Sequence, residues 1–185
     1  NRTIRSAAFE SMCPGNAPSD MLLDYHRSVA AGGIGMTTVA YAAVTQSGLS
    51  FDRQLWMRPE IIPGLRRLTD AIHAEGAAAG IQLGHCGNMS HKSICGCMPV
   101  GASSGFNLYS PTFVRGLRAD ELPEMARAYG RSVNLAREAG FDSVEIHAGH
   151  GYLISQFLSP STNHRKDEFG GSLQNRMRFM DMVME

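Results

Sequence analysis

The chain carries the stretch FDSVEIHAGHGYL at residues 141–153, where a short apolar run is followed directly by polar side chains and glycines. The first part, residues 141–147, has the composition of a buried β-strand. Two histidines and a tyrosine, His147, His150 and Tyr152, follow where this strand is expected to end. The pattern therefore predicts a strand whose C-terminal end presents three hydrogen-bonding side chains.

These three side chains suit one kind of chemistry. An imidazole donates well to a carbonyl or nitro oxygen, and a phenol can deliver a proton to a neighbouring carbon. The alternative is a helix-entry loop whose polar groups only satisfy the backbone. A cluster of this kind at a strand end favours a functional site over that alternative.

Strands and helices alternate on both sides of this stretch. Apolar runs predict further strands at residues 3–9, 34–41 and 77–83. Helical periodicity predicts four helices, which begin after Ser19, after Pro59, at about Asp120 and after Ser172. The third of them is expected to end at Ala139. The buried face of the first is expected to consist of Leu22, Tyr25 and Val29. Four strand-then-helix units predict an α/β fold with a parallel sheet, either doubly wound or part of a barrel. The connection at residues 84–119 is too long for an ordinary loop, which indicates a functional or mobile segment.

Composition narrows the function classes. Of the 185 residues, 43% are hydrophobic. The 17 basic side chains balance the 17 acidic ones, so the protein has no net charge that would attract it to nucleic acid or to an acidic membrane surface. Residues 28–50 carry no charge, but their glycines and threonines favour a helix end, a turn and a strand over a membrane span. We expect a globular protein with a small-molecule partner and without a secretory signal.

The cysteines and glycines exclude other classes. Four cysteines without the density of a disulfide scaffold indicate free thiols and a cytoplasmic location. Cys95 and Cys97 form one tight pair near His85 and His91, whereas metal sites of this type usually have two such pairs, so no metal site is predicted. No strand is followed by Gly-x-Gly-x-x-Gly, and no Gly-x-Ser-x-Gly elbow is present.

Several motifs together identify a family. The chain closely resembles the old yellow enzyme (NADH:flavin oxidoreductase) family in residues 145–153, 156–160, 163–172 and 175–179. The similarity extends to Asn1-Arg2, residues 35–44 and residues 80–87.

This resemblance implies a fold and an activity. The fold is a (β/α)8 TIM barrel, of which residues 1–185 would be the N-terminal half, roughly four βα units, truncated at both ends. FMN would lie across the C-terminal mouth of the barrel, reduced by NADH or NADPH and reoxidised by the activated C=C bond of an unsaturated carbonyl compound.

The resemblance also implies residue roles. His147 and His150 would hold the electron-withdrawing oxygen of the substrate above the flavin, and Tyr152 would be the proton donor. Gln82 would hydrogen-bond the polar edge of the flavin ring. The ring would be lined by backbone and small side chains around Ala7, Ala8 and Ala40.

A dense set of charges belongs to the same motifs. We interpret these residues as a network of ion pairs and caps that fixes loop shape, and not as catalytic groups. They are Arg165, Asp167, Glu168 and Arg176.

The chain departs from the family pattern at two places. Family members often carry Thr or Cys near Ala8 and Phe9, where a side chain tunes the flavin potential, and here Cys13 is the nearest thiol. Asn88 stands where the family has Arg, which removes the expected anion-recognising side chain.

Alternatives remain open at this point. The connection at residues 84–119 resembles the substrate lid of larger members such as 2,4-dienoyl-CoA reductase, in which an iron-sulfur cluster would be bound beyond Glu185. An amine dehydrogenase, a non-catalytic fragment and a metal-dependent barrel hydrolase are further alternatives, and a homo-oligomer is compatible with the sequence.

Overall fold

The computed structural model describes residues 2–185, so Asn1 lies outside the described residues. These residues form two compact units. The first extends to Ala43 and includes residues 51–83 and 131–146, and the second comprises residues 44–50, 84–130 and 147–185.

The strands are β1 (Ile4–Arg5), β2 (Met36–Ala43), β3 (Ala78–Gly84), β4 (Val100–Gly101), β5 (Gly105–Asn107), β6 (Thr112–Gly116) and β7 (Ser143–Ile146). The helices are α1 (Asp20–Ala31), α2 (Ile62–Ala74), α3 (Lys92–Cys95), α4 (Leu122–Glu138), α5 (Leu153–Leu158) and α6 (Leu173–Met184).

The first unit is built on a parallel sheet with strand order β1-β2-β3-β7. Helices α1, α2 and α4 precede β2, β3 and β7 in the chain, so the predicted alternation of strands and helices is confirmed. β3 and β7 are in register from Gly80 opposite Ser143 to Leu83 opposite Ile146. Because parallel strands place their C-terminal ends at one edge, the residues that end β3 and β7 share that edge.

The first strand is shorter than predicted, because only Ile4–Arg5 of residues 3–9 pairs with β2. Beyond it, the Glu10 carboxylate accepts the backbone N–H of Ala40 at 3.2 Å. A side chain therefore satisfies a β2 backbone donor, and the segment between Arg5 and Glu10 leaves the sheet.

The buried face of α1 differs from the predicted one. Tyr25 and Val29 are half-buried, while the fully buried positions are Leu22, His26 and Ala30. His26 turns inward because it has polar partners there, with its Nδ1 2.8 Å from Thr37 Oγ1. The predicted cap of α1 is confirmed, since the Ser19 hydroxyl accepts the N–H of Leu22.

The long connection at residues 84–119 is structured and belongs to the second unit. It contains α3 and a three-stranded sheet with order β4-β6-β5. β5 and β6 form an antiparallel pair, and the segment between them carries Leu108 and Tyr109, which are 82% and 92% exposed.

Among residues 2–185, no helix combines the length and the apolar composition needed to cross a membrane.

Candidate active site

His147, His150 and Tyr152 lie together in the loop that follows β7. The His147 ring is 4.8 Å from the His150 ring and 5.0 Å from the Tyr152 ring, measured between centroids. His150 has a positive φ of 56° and Gly151 has one of 68°, so the backbone forms a turn with two successive residues at positive φ. A positive φ is uncommon for residues other than glycine and is often found at functional sites. This turn brings three side chains with separations of two and three residues into one cluster.

The two imidazoles are hydrogen-bonded to each other. His150 Nδ1 lies 3.0 Å from His147 Nε2, so one of these nitrogens carries the proton and the other accepts it when both rings are neutral. His147 is buried and His150 is exposed. For both nitrogens to donate to one substrate oxygen, this mutual hydrogen bond has to be replaced by two N–H···O bonds.

An apolar cavity of about 500 Å³ opens beside His150. Its wall includes Met89, Phe106, Leu108 and Tyr109, together with the backbone at Gly151. Small-molecule sites typically combine such an apolar lining with a few polar groups that orient the ligand. The cavity therefore suits an apolar molecule of moderate size with a polar group at the histidine end.

Gln156 is a residue that sequence reasoning missed. Its buried amide nitrogen donates to the carbonyl oxygens of Cys86 at 3.1 Å and Gly151 at 2.6 Å, and to Asn88 Oδ1 at 2.9 Å. Its amide oxygen accepts the backbone N–H of Asn88 at 3.2 Å. Gln156 thus connects the loop after β3 to the loop that holds His150. Asn88 is engaged in this connection through both its backbone N–H and its side-chain oxygen.

In the first unit, Gln82 and Glu145 form a pair across the sheet. Gln82 is 8% exposed, and its Nε2 donates to Glu145 Oε1 at 2.6 Å from the directly opposite register position. A carboxylate only accepts hydrogen bonds, so it holds the amide nitrogen of Gln82 toward itself and orients the amide oxygen away. Glu145 was not among the predicted site residues. The signal in the sequence was a charged residue between Val144 and Ile146 in an apolar strand.

The structure also brings Ala7, Ala8 and Ala40 to one region of the first unit. Arg5 donates to the carbonyl oxygens of Ala8 at 3.3 Å and Thr38 at 2.6 Å. Ala40 is buried, Ala7 is half-buried and Ala8 is exposed. That these small side chains line the flavin ring remains a prediction.

His85, directly after β3, is buried and uncharged. Its Nδ1 accepts the N–H of Gly87 at 2.9 Å, so its Nε2 carries the proton and donates to Ser47 Oγ at 3.1 Å. Burial lowers the pKa of His85 from 6.5 to about 3. This histidine therefore has a structural role in the loop that precedes Asn88.

We expect His85 to make the fold sensitive to acid. Above pH 6.5 the ring is neutral in both the folded and the unfolded chain, whereas between pH 6.5 and about 3 only the unfolded chain binds the proton. Stability should therefore fall by up to about 1.4 kcal/mol per pH unit across this window. Urea unfolding at several pH values should show that the free energy of unfolding falls less steeply with decreasing pH for His85→Gln than for the wild type. Parallel declines in the two proteins would contradict the assignment.

Three residues of the charged motif after α5, Arg165, Asp167 and Arg176, make structural contacts of the predicted kind. Arg165 donates to the carbonyl oxygens of Ala102 and Leu117 and pairs with Asp167. The hydrogen bond from Arg165 holds the pKa of Asp167 below its usual value. Arg176 donates to the carbonyl oxygen of Leu158 at 2.7 Å. These contacts fix backbone segments to one another.

The cysteines are all free. Cys13, Cys86 and Cys95 are buried and Cys97 is exposed. Burial and the nearby Glu10 raise the pKa of Cys13 to about 12, so its thiol stays protonated. Within residues 2–185, no group of three or more His, Cys, Asp or Glu side chains is arranged to hold a metal ion.

Comparison with known proteins identifies the family. The sequence model of the NADH:flavin oxidoreductase / NADH oxidase family matches residues 1–185. The chain belongs to this family. The prediction made from the motifs is therefore confirmed.

Individual relatives agree with this membership. The chain is 40% identical over 185 residues to the 4,4'-dithiodibutanoate disulfide reductase of Rhodococcus erythropolis, covering 100% of this chain and 46% of the relative. A solved structure of the old yellow enzyme homologue from Zymomonas mobilis has a TM-score of 0.92 at 29% identity, covering 99% of this chain and 54% of that one. Morphinone reductase in complex with tetrahydroNAD has a TM-score of 0.91 at 28% identity, covering 99% and 55%.

These matches confirm the fold as part of the family's (β/α)8 barrel. The chain spans about half the length of these relatives. That residues 1–185 are the N-terminal half of one barrel domain remains a prediction.

Proposed function

We propose that the protein is an FMN-dependent oxidoreductase that uses NADH or NADPH to reduce the activated C=C bond of unsaturated carbonyl compounds. Family membership supports the flavin and nicotinamide chemistry. The observation that carries the proposal is the cluster of His147, His150 and Tyr152, with His150 on the wall of an apolar cavity of about 500 Å³.

The histidine pair would bind and polarise the carbonyl oxygen of the substrate. The hydrogen bond between His147 Nε2 and His150 Nδ1 is exchanged for two bonds to that oxygen. Each bond stabilises the negative charge that develops on the oxygen as the β-carbon is reduced. The apolar body of the substrate lies against Phe106, Leu108 and Tyr109. This arrangement favours an enone or enal over an amine, because imidazole N–H groups donate to an acceptor oxygen.

Tyr152 would supply the proton for the α-carbon. Its ring stands nearly perpendicular to the His147 ring, at an interplanar angle of 83°. A phenol O–H is able to donate a proton to a neighbouring carbon. Gln156 acts as a positioning residue, because its contacts fix the loop between His147 and Tyr152 at Gly151.

The residues of the first unit fit a flavin ring. The Gln82 amide would offer an acceptor oxygen and a second N–H to the polar edge of the ring, and Ala40 has no side-chain atom beyond Cβ that could project into the ring. FMN, when bound, would supply the hydride chemistry between nicotinamide and acceptor. Glu145 is a positioning residue in this scheme, since it sets the orientation of the Gln82 amide.

We expect Glu145→Gln to weaken FMN binding about tenfold, because a hydrogen bond to a charged group contributes roughly 1.5–3 kcal/mol. An amide at position 145 can present either its nitrogen or its oxygen to Gln82, so the orientation is no longer fixed. Fluorescence titration of the apoprotein with FMN measures the change. Glu138→Gln is the matched control, since Glu138 is half-exposed and pairs with Arg66. Equal FMN affinity in Glu145→Gln and the wild type would contradict the positioning role.

A disulfide is a second candidate acceptor. The observation that favours it is the 40% identity, over 185 residues, to a protein named as a 4,4'-dithiodibutanoate disulfide reductase. A cytoplasmic location, a homo-oligomer and an iron-sulfur cluster beyond Glu185 stay predictions.

Steady-state assays separate these activities. The whole protein, loaded with FMN, is mixed with NADPH or NADH under nitrogen, and nicotinamide oxidation is followed with 2-cyclohexenone, with 4,4'-dithiodibutanoate or with neither. The proposal expects the enone to accelerate nicotinamide oxidation and the carbonyl product to be saturated. Acceleration by the disulfide alone would replace the proposed substrate class with the second candidate.

A further inference from the structure

Two thiols lie close together outside the candidate active site. Cys95 Sγ and Cys97 Sγ are 3.7 Å apart, and Cys95 also donates to the carbonyl oxygen of Cys97 at 3.2 Å. A disulfide requires an S–S distance of about 2.05 Å, so the sulfurs need to approach by roughly 1.6 Å. Rotation about the side-chain torsions of two residues can supply a movement of this size.

The backbone between the two cysteines favours this approach. Cys95 ends α3, and Gly96 has a left-handed conformation with φ of 74°. This turn reverses the chain direction between Cys95 and Cys97 and directs both side chains to one side. The left-handed region is accessible to glycine at little cost, which explains the residue type at position 96.

The two thiols differ in accessibility. Cys97 is exposed, whereas Cys95 is only 1% exposed. Cys97 lines a cavity of about 590 Å³ whose surface is mostly apolar and includes Met98, Leu117 and Met125. Charged side chains also line this cavity, namely Arg115, Arg118, Asp120, Glu121 and Glu124. A dissolved reagent can therefore reach the Cys97 thiol through the cavity. The Cys95 thiol is buried, but it lies close enough to Cys97 to react with a group that is already bonded to Cys97 Sγ.

We propose that Cys95 and Cys97 form a redox-active dithiol that reduces small, largely apolar disulfides bound in this cavity. The Cys97 thiol loses its proton and attacks one sulfur of the disulfide RSSR, which forms a mixed disulfide and releases RSH. Cys95 then attacks Cys97 Sγ, which forms the Cys95–Cys97 disulfide and releases the second RSH. Two protein thiols are oxidised and one disulfide is reduced to two thiols, so atoms and electrons balance.

The surroundings of Cys97 determine how this exchange depends on pH. The residue is exposed, but its thiol is partly desolvated; this desolvation, and then the neighbouring Cys95, raise the pKa of Cys97 to about 11, while Arg115 acts in the opposite direction. The thiolate is the attacking species, so the rate should rise about tenfold per pH unit between neutral pH and about pH 9. This inference goes beyond the proposed function and does not depend on flavin.

Mass spectrometry of the native holoprotein tests the proposal. The protein is treated with 2-hydroxyethyl disulfide without nicotinamide, quenched with acid and digested with trypsin without reduction. Cleavage after Lys92 and Arg115 leaves both cysteines on one peptide, residues 93–115. We expect this peptide to lose two hydrogen atoms, with two equivalents of mercaptoethanol released. Cys13 and Cys86 should remain unmodified because they are buried.

Two variants separate the steps. Cys95→Ser should stop at the mixed disulfide, with one mercaptoethanol adduct on Cys97, and Cys97→Ser should not react. The wild type is decisive even if a variant fails to fold. An unmodified 93–115 peptide after prolonged treatment at about pH 9, or separate adducts on both cysteines, would overturn the proposal. This experiment measures no reaction of the flavin. Its result for the dithiol is therefore independent of whether the protein reduces alkenes.

Discussion

Changing His147 and His150 together to Ala should lower the rate of enone reduction by a factor of about a hundred or more, because loss of a single oxyanion donor can cost that much. Reduction of the flavin by the nicotinamide should be nearly unchanged, since this step needs no polarised carbonyl oxygen. Stopped-flow absorbance measures the two half-reactions separately. The hydrogen bond of 3.0 Å between the rings is the reason to change both, because either imidazole alone retains a donor.

A histidine outside the cluster provides the control. His73→Ala removes an imidazole that is paired with Asp142 on the surface of the first unit, and both half-reactions should keep their wild-type rates. If the double variant is reoxidised by 2-cyclohexenone as fast as the wild type, the histidines do not bind the substrate oxygen.

Tyr152→Phe should slow enone reduction by a factor of about a hundred to ten thousand, the usual range for loss of a general acid. The substitution keeps the ring that packs 5.0 Å from His147 and removes only the hydroxyl group. Acceptors that take up charge without protonation at carbon, such as quinones, should be affected much less. The measurement compares the rates of flavin reoxidation by an enone and by a quinone in this variant.

Tyr129→Phe is the matched control, because it removes the hydroxyl group of a tyrosine of α4 that does not line the apolar cavity. It should leave both rates close to those of the wild type. Equal losses with the enone and the quinone in Tyr152→Phe would indicate that the hydroxyl only braces the loop, since poorer positioning slows both acceptors alike.

The main sheet could be predicted because its strands and helices have distinct periodicities. β2, β3 and β7 lie within two residues of the predicted positions, and α1 and α6 begin after Ser19 and Ser172 as expected, with each serine hydroxyl accepting a helix N–H. β1 was predicted too long, because the Glu10 carboxylate satisfies the N–H of Ala40. The predicted inner face of α1 was wrong at Tyr25 and Val29, because His26 is buried instead with a polar contact to Thr37 on β2.

The histidine and tyrosine residues of the candidate site could be found in the sequence because they lie within six consecutive residues. Gln156 and Glu145 could not, because their roles depend on partners 68 and 63 residues away. The dithiol also required the structure. The spacing of Cys95 and Cys97 is visible in the sequence, but their unequal exposure and the cavity beside Cys97 are not.

The most direct test of the central claim is the absorbance of the whole protein during one anaerobic cycle. The purified protein is loaded with FMN, titrated with NADPH or NADH until the flavin absorption bleaches, and then mixed with 2-cyclohexenone. The account predicts that the enone restores the oxidised flavin spectrum with one equivalent of cyclohexanone formed per flavin. A flavin that stays bleached after addition of the enone, or a protein that does not bind FMN, would contradict it.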